Sequence, residues 1–173
     1  MIHWICFEWK TDDVPTNPPA IHPLVVRAAE PADEAGVRKA VTSSFSLDPA
    51  WGDVSRKIVT HSERAIDAAF EHAAPSCVVL LHGHRIIGAS VLDVSPSSEN
   101  HLVTGPCTML EYRSRGVGGT LLLASLQFLK GRDVSAVRGI TRDHSIAARF
   151  VYPKFGGKPV EGSFDPINPK KSE

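Results

Sequence analysis

The sequence predicts a mixed α/β domain with a largely antiparallel sheet and flanking helices. Two observations support this prediction: short apolar, β-branched runs alternate with stretches of helical periodicity, and a strand-helix-strand unit occupies the second half of the chain. Of the 173 residues, 42% are hydrophobic and 22% charged, a composition typical of one globular domain. The 19 basic and 19 acidic residues cancel, so no overall basic field favours nucleic acid or an anionic membrane as a partner.

Residues 1–23 are expected to form a partly loose N-terminal extension, ahead of a domain at 24–165 and a polar tail at 166–173. Four prolines between positions 15 and 23 oppose regular structure. The aromatic segment 2–9 leaves three alternatives open: a short strand, a cover for an apolar patch, or a surface for self-association. No leader with a basic and then an apolar region is present, and no apolar run reaches about 20 residues, so we expect a cytoplasmic protein.

The front half of the chain predicts a strand, two helices and a hairpin. The β-branched run Leu24–Ala28 is typical of a strand, and Pro31 with the acids after it favours a helix start. A second helix is expected over residues 53–73, ended by a proline at 75. The apolar run 77–81 indicates a buried strand, which a glycine-containing turn connects to a return strand at 86–94.

The back half predicts a strand at 102–110, a leucine-rich helix at 118–130, a strand at 134–141, a short helix at 145–152 and a last strand at 158–164. Gly131 stands where a C-terminal cap is favoured, and Pro153 stops the short helix. The element order is therefore β-α-α-β-β-β-α-β-α-β.

The junction between the strand ending near Leu110 and the helix near Gly118 is rich in glycine and arginine, with the order Arg113-Ser114-Arg115-Gly116-Val117-Gly118-Gly119-Thr120. Glycines allow a ligand to approach the backbone closely, and a helix N-terminus offers unpaired N–H groups with partial positive charge. The pattern favours a phosphate or pyrophosphate site, although an ordinary tight turn is an equal alternative on this pattern alone. A dinucleotide-binding turn would need a third glycine, and the P-loop lysine is absent.

The run 110–122 closely resembles motif A of the GNAT acetyltransferases, written Arg/Gln-x-x-Gly-x-Gly/Ala, which in that family cradles the CoA pyrophosphate. Three further segments are similar to the family in the same order: Val25–Asp33, Arg85–Ala89 and Ser145–Gly156. The resemblance covers about residues 24–160. It implies a GNAT fold, with a central mixed, mostly antiparallel, twisted sheet of about six to seven strands flanked by about four helices.

The sequence departs from the family pattern at four positions. Ser145 stands where the family often has Asn, and Gly157 replaces the usual Phe. Thr108 and Leu110 stand where many members have Val and Pro. None of these departures removes the phosphate cradle.

The resemblance implies an enzyme that moves an acetyl group from acetyl-CoA to an amine of a small molecule or peptide, by direct attack in a ternary complex. It places the acyl-CoA donor on the following residues: Thr108, Met109, Leu110, Arg113, Arg115, Gly116, Val117, Gly118, Gly119, Thr120, Ser145 and Tyr152. Tyr152 matches the family's tyrosine that donates a proton to the CoA sulfur, and a packed residue at a helix end is the alternative.

The general base is less well defined by the sequence. Asp93, Glu99 and His101 flank a loop whose edge can line the acceptor groove, yet each residue type is also common on a solvated surface. A chain of water molecules would serve equally well.

Two other classes of function stay open: a non-catalytic CoA or acyl-CoA sensor or interaction module, and a nucleotide-binding regulatory domain. No metal is expected, because the eight histidines are scattered and the three cysteines form no CxxC pair. We expect an amine acceptor as the partner, with no nucleic acid and no membrane, and a monomer or homodimer.

Overall fold

The computed structural model describes residues 2–168, and the last five residues of the predicted tail lie outside that range. The described chain confirms the α/β prediction, with these elements in order: β1 (Trp4–Lys10), β2 (Val25–Ala28), α1 (Glu34–Ser46), α2 (Ser55–Ala69), β3 (Cys77–His82), β4 (Arg85–Val91), β5 (Cys107–Thr108), α3 (Val117–Gly131), β6 (Ala136–Arg142), α4 (Ala147–Val151) and β7 (Lys158–Val160). The short helix α4 winds as a π-helix. The predicted strand 102–110 is reduced to β5, and the predicted last strand is reduced to β7.

Four strands form an antiparallel sheet in the order β2-β3-β4-β5. Alternate side chains of a strand point to opposite faces, and β3 shows this clearly. Val79 and Leu81 pack with α1 and α2, whereas Val78 and Leu80 pack with α3. The sheet is therefore covered by helices on both faces, which explains why β3 is continuously apolar.

The other three strands form a second sheet in the order β6-β1-β7, with β1 in the middle. Trp4 pairs with Arg142, and Cys6 pairs with both Ile140 and Val160. Three alternatives were open for the aromatic segment 2–9, and the short strand is the correct one. The predicted boundary at residue 23 is wrong for β1, because this strand buries its apolar side chains and is the centre of a sheet.

The two sheets meet at one end, where the chain before β5 lies beside β6. The backbone N–H groups of His101 and Leu102 both donate to the Arg138 carbonyl, at 2.8 and 3.3 Å. A Cβ on Gly139 would lie 2.7 Å from the Leu102 side chain, so this close contact requires glycine. Further along, β5 pairs with β4 and β6 pairs with β1, and the space between β5 and β6 is called the fork from here on.

Candidate functional site

The predicted glycine-rich turn is present, and it begins α3 next to the fork. Gly116 is the N-cap of α3 and has a φ of 78°, a left-handed conformation that favours glycine. The Thr120 N–H closes the first helical turn by donating to the Gly116 carbonyl at 3.2 Å. The N–H groups that precede Thr120 have no partner within the helix, so the turn has the geometry of an anion cradle.

Arg113 lies at the start of the cradle, but its side chain points into the protein. Its guanidinium donates to Asp48 Oδ2 at 2.6 Å, to the Ser44 carbonyl at 2.9 Å and to the Thr108 carbonyl at 3.0 Å. Its donors thus brace the end of α1 against β5, and the predicted contact between Arg113 and the acyl donor stays a prediction. Arg115 is exposed beside the ring of Tyr112 and keeps its charge available to an anion.

The strand residues that were expected to hold the acyl arm are partly used by the fold. The Met109 N–H donates to the Ile87 carbonyl at 2.9 Å, so it is not available to a ligand. Neighbouring backbone groups of a strand point in opposite directions, so the Thr108 N–H points away from β4 and towards the fork. The Thr108 carbonyl accepts from Arg113, and Leu110 begins a 3₁₀ turn with its side chain exposed.

Tyr152 follows α4 and lies at the fork, with only 2% of its surface exposed. Its ring packs edge-on against Phe7 and Trp9, at centroid distances of 5.7 and 5.5 Å. A Cβ on Gly105 would lie 2.5 Å from the phenol oxygen, so glycine lets the hydroxyl reach the strand. Burial raises the pKa of Tyr152 well above its usual value, which keeps the phenol protonated at neutral pH.

Ser145 caps α4. Its hydroxyl oxygen accepts the Ala148 N–H at 3.1 Å and lies 3.5 Å from the Thr141 hydroxyl. These contacts explain how a shorter residue replaces the family's Asn, because serine is a favoured helix cap. Its expected contact with CoA stays a prediction.

The three predicted bases lie in the loop where the two sheets meet. His101 is 1% exposed, its Nε2 lies 2.9 Å from the Ser95 carbonyl, and its Nδ1 accepts the Arg138 N–H at 2.9 Å. Both ring nitrogens are thus occupied by backbone groups, and burial also lowers the pKa of His101. The ring therefore joins the two sheets, and the base role of His101 stays a prediction.

Among residues 2–168, the Asp93 and Glu99 side chains form no hydrogen bond with the glycine-rich turn or with Tyr152. The Asp93 carboxylate accepts the Ser95 N–H at 3.0 Å within its own loop, and the Glu99 side chain is exposed. Their roles as bases stay predictions.

Two residues that were not predicted have contacts near the fork or the glycine-rich turn, His61 and Lys154. His61 on α2 has its Nε2 3.4 Å from the Val103 carbonyl, two positions before Gly105. Burial lowers the pKa of His61, so its imidazole is neutral at neutral pH. No sequence signal links residues 42 positions apart. Lys154 lies over the first turn of α3, and its place two residues after Tyr152 in a family-like segment could have drawn attention to it.

Within residues 2–168, no group of three or more His, Cys, Asp or Glu side chains is placed to hold a metal ion. In the same described range, no helix combines the length and the apolar character needed to cross a membrane.

The site thus consists of a glycine-capped helix beside the fork between two sheets, with the buried Tyr152 side chain at the fork. The chain belongs to the acetyltransferase (GNAT) family, whose family model matches residues 41–157. A search of curated proteins gives no match.

Solved structures support the same fold. The chain is similar to a GCN5-related N-acetyltransferase from Sphaerobacter thermophilus, with a TM-score of 0.63 and 15% identity over 92% of this chain and 49% of that one. It is also similar to a GNAT-family acetyltransferase from Colwellia psychrerythraea, with a TM-score of 0.59 and 11% identity over 92% and 53% of the two chains. A tandem GNAT protein from the clavulanic acid biosynthesis pathway gives a TM-score of 0.55 and 14% identity over 92% and 50%. The chain thus spans about half the length of these proteins.

Proposed function

We propose that this chain is an acetyl-CoA-dependent N-acetyltransferase that acts on an amine of a small molecule or peptide. The observation that carries the proposal is Tyr152, whose side chain is almost fully buried beside the fork and whose phenol oxygen lies against Gly105, just before β5. A phenol held in this way has an apolar ring in the core and a polar tip that can reach a ligand in the fork. The anion cradle at the start of α3 borders the same fork and suits the phosphate end of the same ligand.

In the proposed complex, the pantetheine arm of the donor enters the fork and its pyrophosphate lies on the N–H groups of residues 115–120. The Thr108 N–H points towards the fork, and we assign it as the donor to the thioester carbonyl oxygen. A fixed backbone donor of this kind stabilises the negative charge that develops on the oxygen during attack. Holding both reactants in the fork also removes much of the entropy cost of bringing them together.

The chemical step requires one proton to leave the amine and one to reach the sulfur. The amine nitrogen attacks the thioester carbon, a C–N bond forms, and the C–S bond breaks as the electron pair moves to sulfur. Tyr152 gives its proton to that sulfur, and the phenolate recovers a proton that originates from the amine. The products are an amide and the free thiol of CoA, so atoms and charges balance.

For removal of the amine proton, we assign His61. When its Nε2–H faces the Val103 carbonyl, Nδ1 carries a free lone pair that can accept a proton directly or through water. Its lowered pKa keeps that lone pair available at neutral pH. Asp93 and Glu99 are the remaining candidates and would act through a chain of water molecules.

Release of CoA thiol from acetyl-CoA, measured with a panel of small amines and peptides, tests the proposal. We expect turnover with at least one acceptor, and tight binding of acetyl-CoA in calorimetry. Acetyl-CoA binding without turnover for any acceptor would favour the sensor or interaction module. Binding of ATP or NAD without binding of CoA would overturn both functions.

A further inference from the structure

The two faces of the four-stranded sheet have different roles at the fork. Val78 and Leu80 of β3 pack with α3, whereas Val79 and Leu81 pack with α1 and α2 on the opposite face. The proposed donor lies on the first turn of α3, so it enters the fork from the α3 face. Because the donor fills its own entrance, an attacking amine has to approach from the other face, which α1, α2 and the loop between them cover.

The loop between α1 and α2 crosses this side of the fork, and residues 48–53 are called the strap from here on. Its first residue, Asp48, accepts a hydrogen bond from the Arg113 guanidinium at 2.6 Å. The same guanidinium donates to the Thr108 carbonyl of β5 at 3.0 Å and to the Ser44 carbonyl of α1 at 2.9 Å. Only 17% of the Asp48 side chain is exposed, so this end of the strap is anchored firmly beside β5.

The other end of the strap is held across the fork by Arg142, the last residue of β6. Its guanidinium donates to the two Asp53 carboxylate oxygens at 2.9 and 2.8 Å, and to the Ala50 carbonyl at 2.9 Å. The Asp53 side chain is 55% exposed, and an ion pair this open to water contributes little to stability. The two ends of the strap therefore differ, because the Asp48 end is fixed and the Asp53 end is held by a contact that can release.

Trp51 lies in the strap and is positioned by the contacts at the Asp53 end. Its ring centroid lies 6.1 Å from that of Trp4, the first residue of β1, and 5.2 Å from that of Phe45 in α1. The Arg142 guanidinium lies 5.9 Å from the centre of the same ring. The indole therefore occupies the space between α1, the start of β1 and the end of β6, on the side from which the amine approaches.

We propose that Trp51 determines which acceptors reach the thioester, and that the Arg142–Asp53 pair is the latch that holds Trp51 in place. This inference rests on the proposed function. With the latch closed, the indole narrows the approach, so slim amines are favoured. When the latch releases, the strap pivots on its Asp48 anchor and admits wider amines. Arg142 and Asp53 act through Trp51 and are therefore positioning residues.

Acrylamide quenching of tryptophan fluorescence tests the latch without any substrate. Arg142→Gln should raise the quenching constant, because Trp51 gains contact with solvent, and Arg142→Lys should give an intermediate value because it keeps the charge. The increase should be largely absent when Trp51→Phe is combined with Arg142→Gln. Arg38→Gln is the matched control: Arg38 forms a similarly exposed pair with Asp67 between α1 and α2, and its loss should leave the quenching unchanged.

A series of amines of rising width tests the effect on specificity. Thiol release from acetyl-CoA is measured with the acceptor panel, in which ethylamine, benzylamine and naphthylmethylamine carry one charge and differ in width. In Arg142→Gln and Asp53→Asn, kcat/KM for wide amines relative to slim ones should rise by up to about fivefold, the shift that an exposed ion pair can impose. Trp51→Ala should give a larger rise, while CoA affinity in calorimetry stays at the parent value.

The possible failures are distinguishable. Unchanged quenching in Arg142→Gln, with an unchanged thermal unfolding curve, would overturn the latch. Increased quenching with an unchanged preference among the amines would overturn the role of Trp51 in specificity. If the parent releases no thiol with any amine while Arg142→Gln still raises the quenching, the proposed function fails, and with it the role in specificity, whereas the latch is retained.

Discussion

The ring of Trp9 meets the ring of Tyr152 edge-on, with their centroids 5.5 Å apart. The same indole holds the Lys154 carbonyl through its N–H. A residue of the first strand thus packs against the proposed acid and holds the backbone two residues after it. This relationship ties the N-terminal strand to the position of the proposed acid as well as to stability.

Replacing Trp9 with alanine should lower the free energy of unfolding by about 3–5 kcal/mol, because a fully buried indole is removed. Trp9→Phe keeps an aromatic ring and loses the hydrogen bond, and part of the ring volume with it, so its loss should be smaller. Urea denaturation of the parent and both variants measures these differences. Unfolding of Trp9→Ala at the parent's urea midpoint would show that β1 does not support the core.

Tyr152→Phe should lower kcat by about 10²-fold or more, the usual contribution of a positioned general acid, while CoA affinity stays near the parent value. The phenyl ring keeps the packing against Phe7, so the fold should be retained. Steady-state thiol release and calorimetry on the same preparation separate the two effects. A variant as fast as the parent would remove Tyr152 from the mechanism.

Gly118→Asp should abolish CoA binding, because its carboxylate would occupy the phosphate position at the cradle. A Cβ at this position would lie 3.3 Å from Val151, so Gly118→Ala is a suitable size control. Calorimetry should show binding for the alanine variant and none for the aspartate variant. Retained affinity in Gly118→Asp would count directly against the cradle.

Protonation of His61 should cause the fall in kcat/KM at low pH, which is called the acidic limb of the pH profile. Its folded pKa is lowered from 6.5 by burial, so the base is active at neutral pH and is lost only as pH falls below that value. The apparent pKa of the limb in kcat/KM should therefore lie below 6.5, and His61→Gln should remove the limb and lower the rate. His101→Gln serves as the control for His61→Gln. It should lower thermal stability and retain the acidic limb of the kcat/KM profile. A limb that survives in His61→Gln would exclude His61 as the base.

Arg113→Gln should cost stability, because three contacts that join α1 to β5 are lost. The pair with Asp48 is partly exposed, so we expect a loss of about 1–2 kcal/mol, most of it from the hydrogen bonds to backbone carbonyls. CoA affinity should change little. Arg115→Gln should show the opposite pattern, with weaker CoA binding and unchanged unfolding. Weaker CoA binding with unchanged unfolding in Arg113→Gln would instead show that the Arg113 side chain contacts the ligand.

Features that depend on near neighbours in the sequence were predictable. The left-handed Gly116 and the helix that follows it are encoded within a few residues, so the glycine-rich turn at the start of α3 was predicted. The strand predicted over 102–110 was too long, because Gly105 has a left-handed φ of 66° and Pro106 lacks an N–H, so regular pairing stops before β5.

Contacts between distant residues were not predictable. Histidine is a residue type that can act as a general base, and only the hydrogen bond from the Arg138 N–H to its ring shows that His101 has a structural role. The sequence also could not explain Gly157, where the family usually has Phe. A Cβ there would lie 2.5 Å from the Trp9 indole nitrogen, so the N-terminal strand occupies the space.

The position of β1 has a further consequence for how the protein assembles. Its partners, β6 and β7, begin at Ala136 and Lys158, so β1 completes its sheet only with strands far along the chain. Such distant pairing is entropically costly and slow compared with local contacts. Tyr152 packs against this strand, so we expect the surroundings of the proposed acid to form late in folding, after β1 has paired with its distant partners.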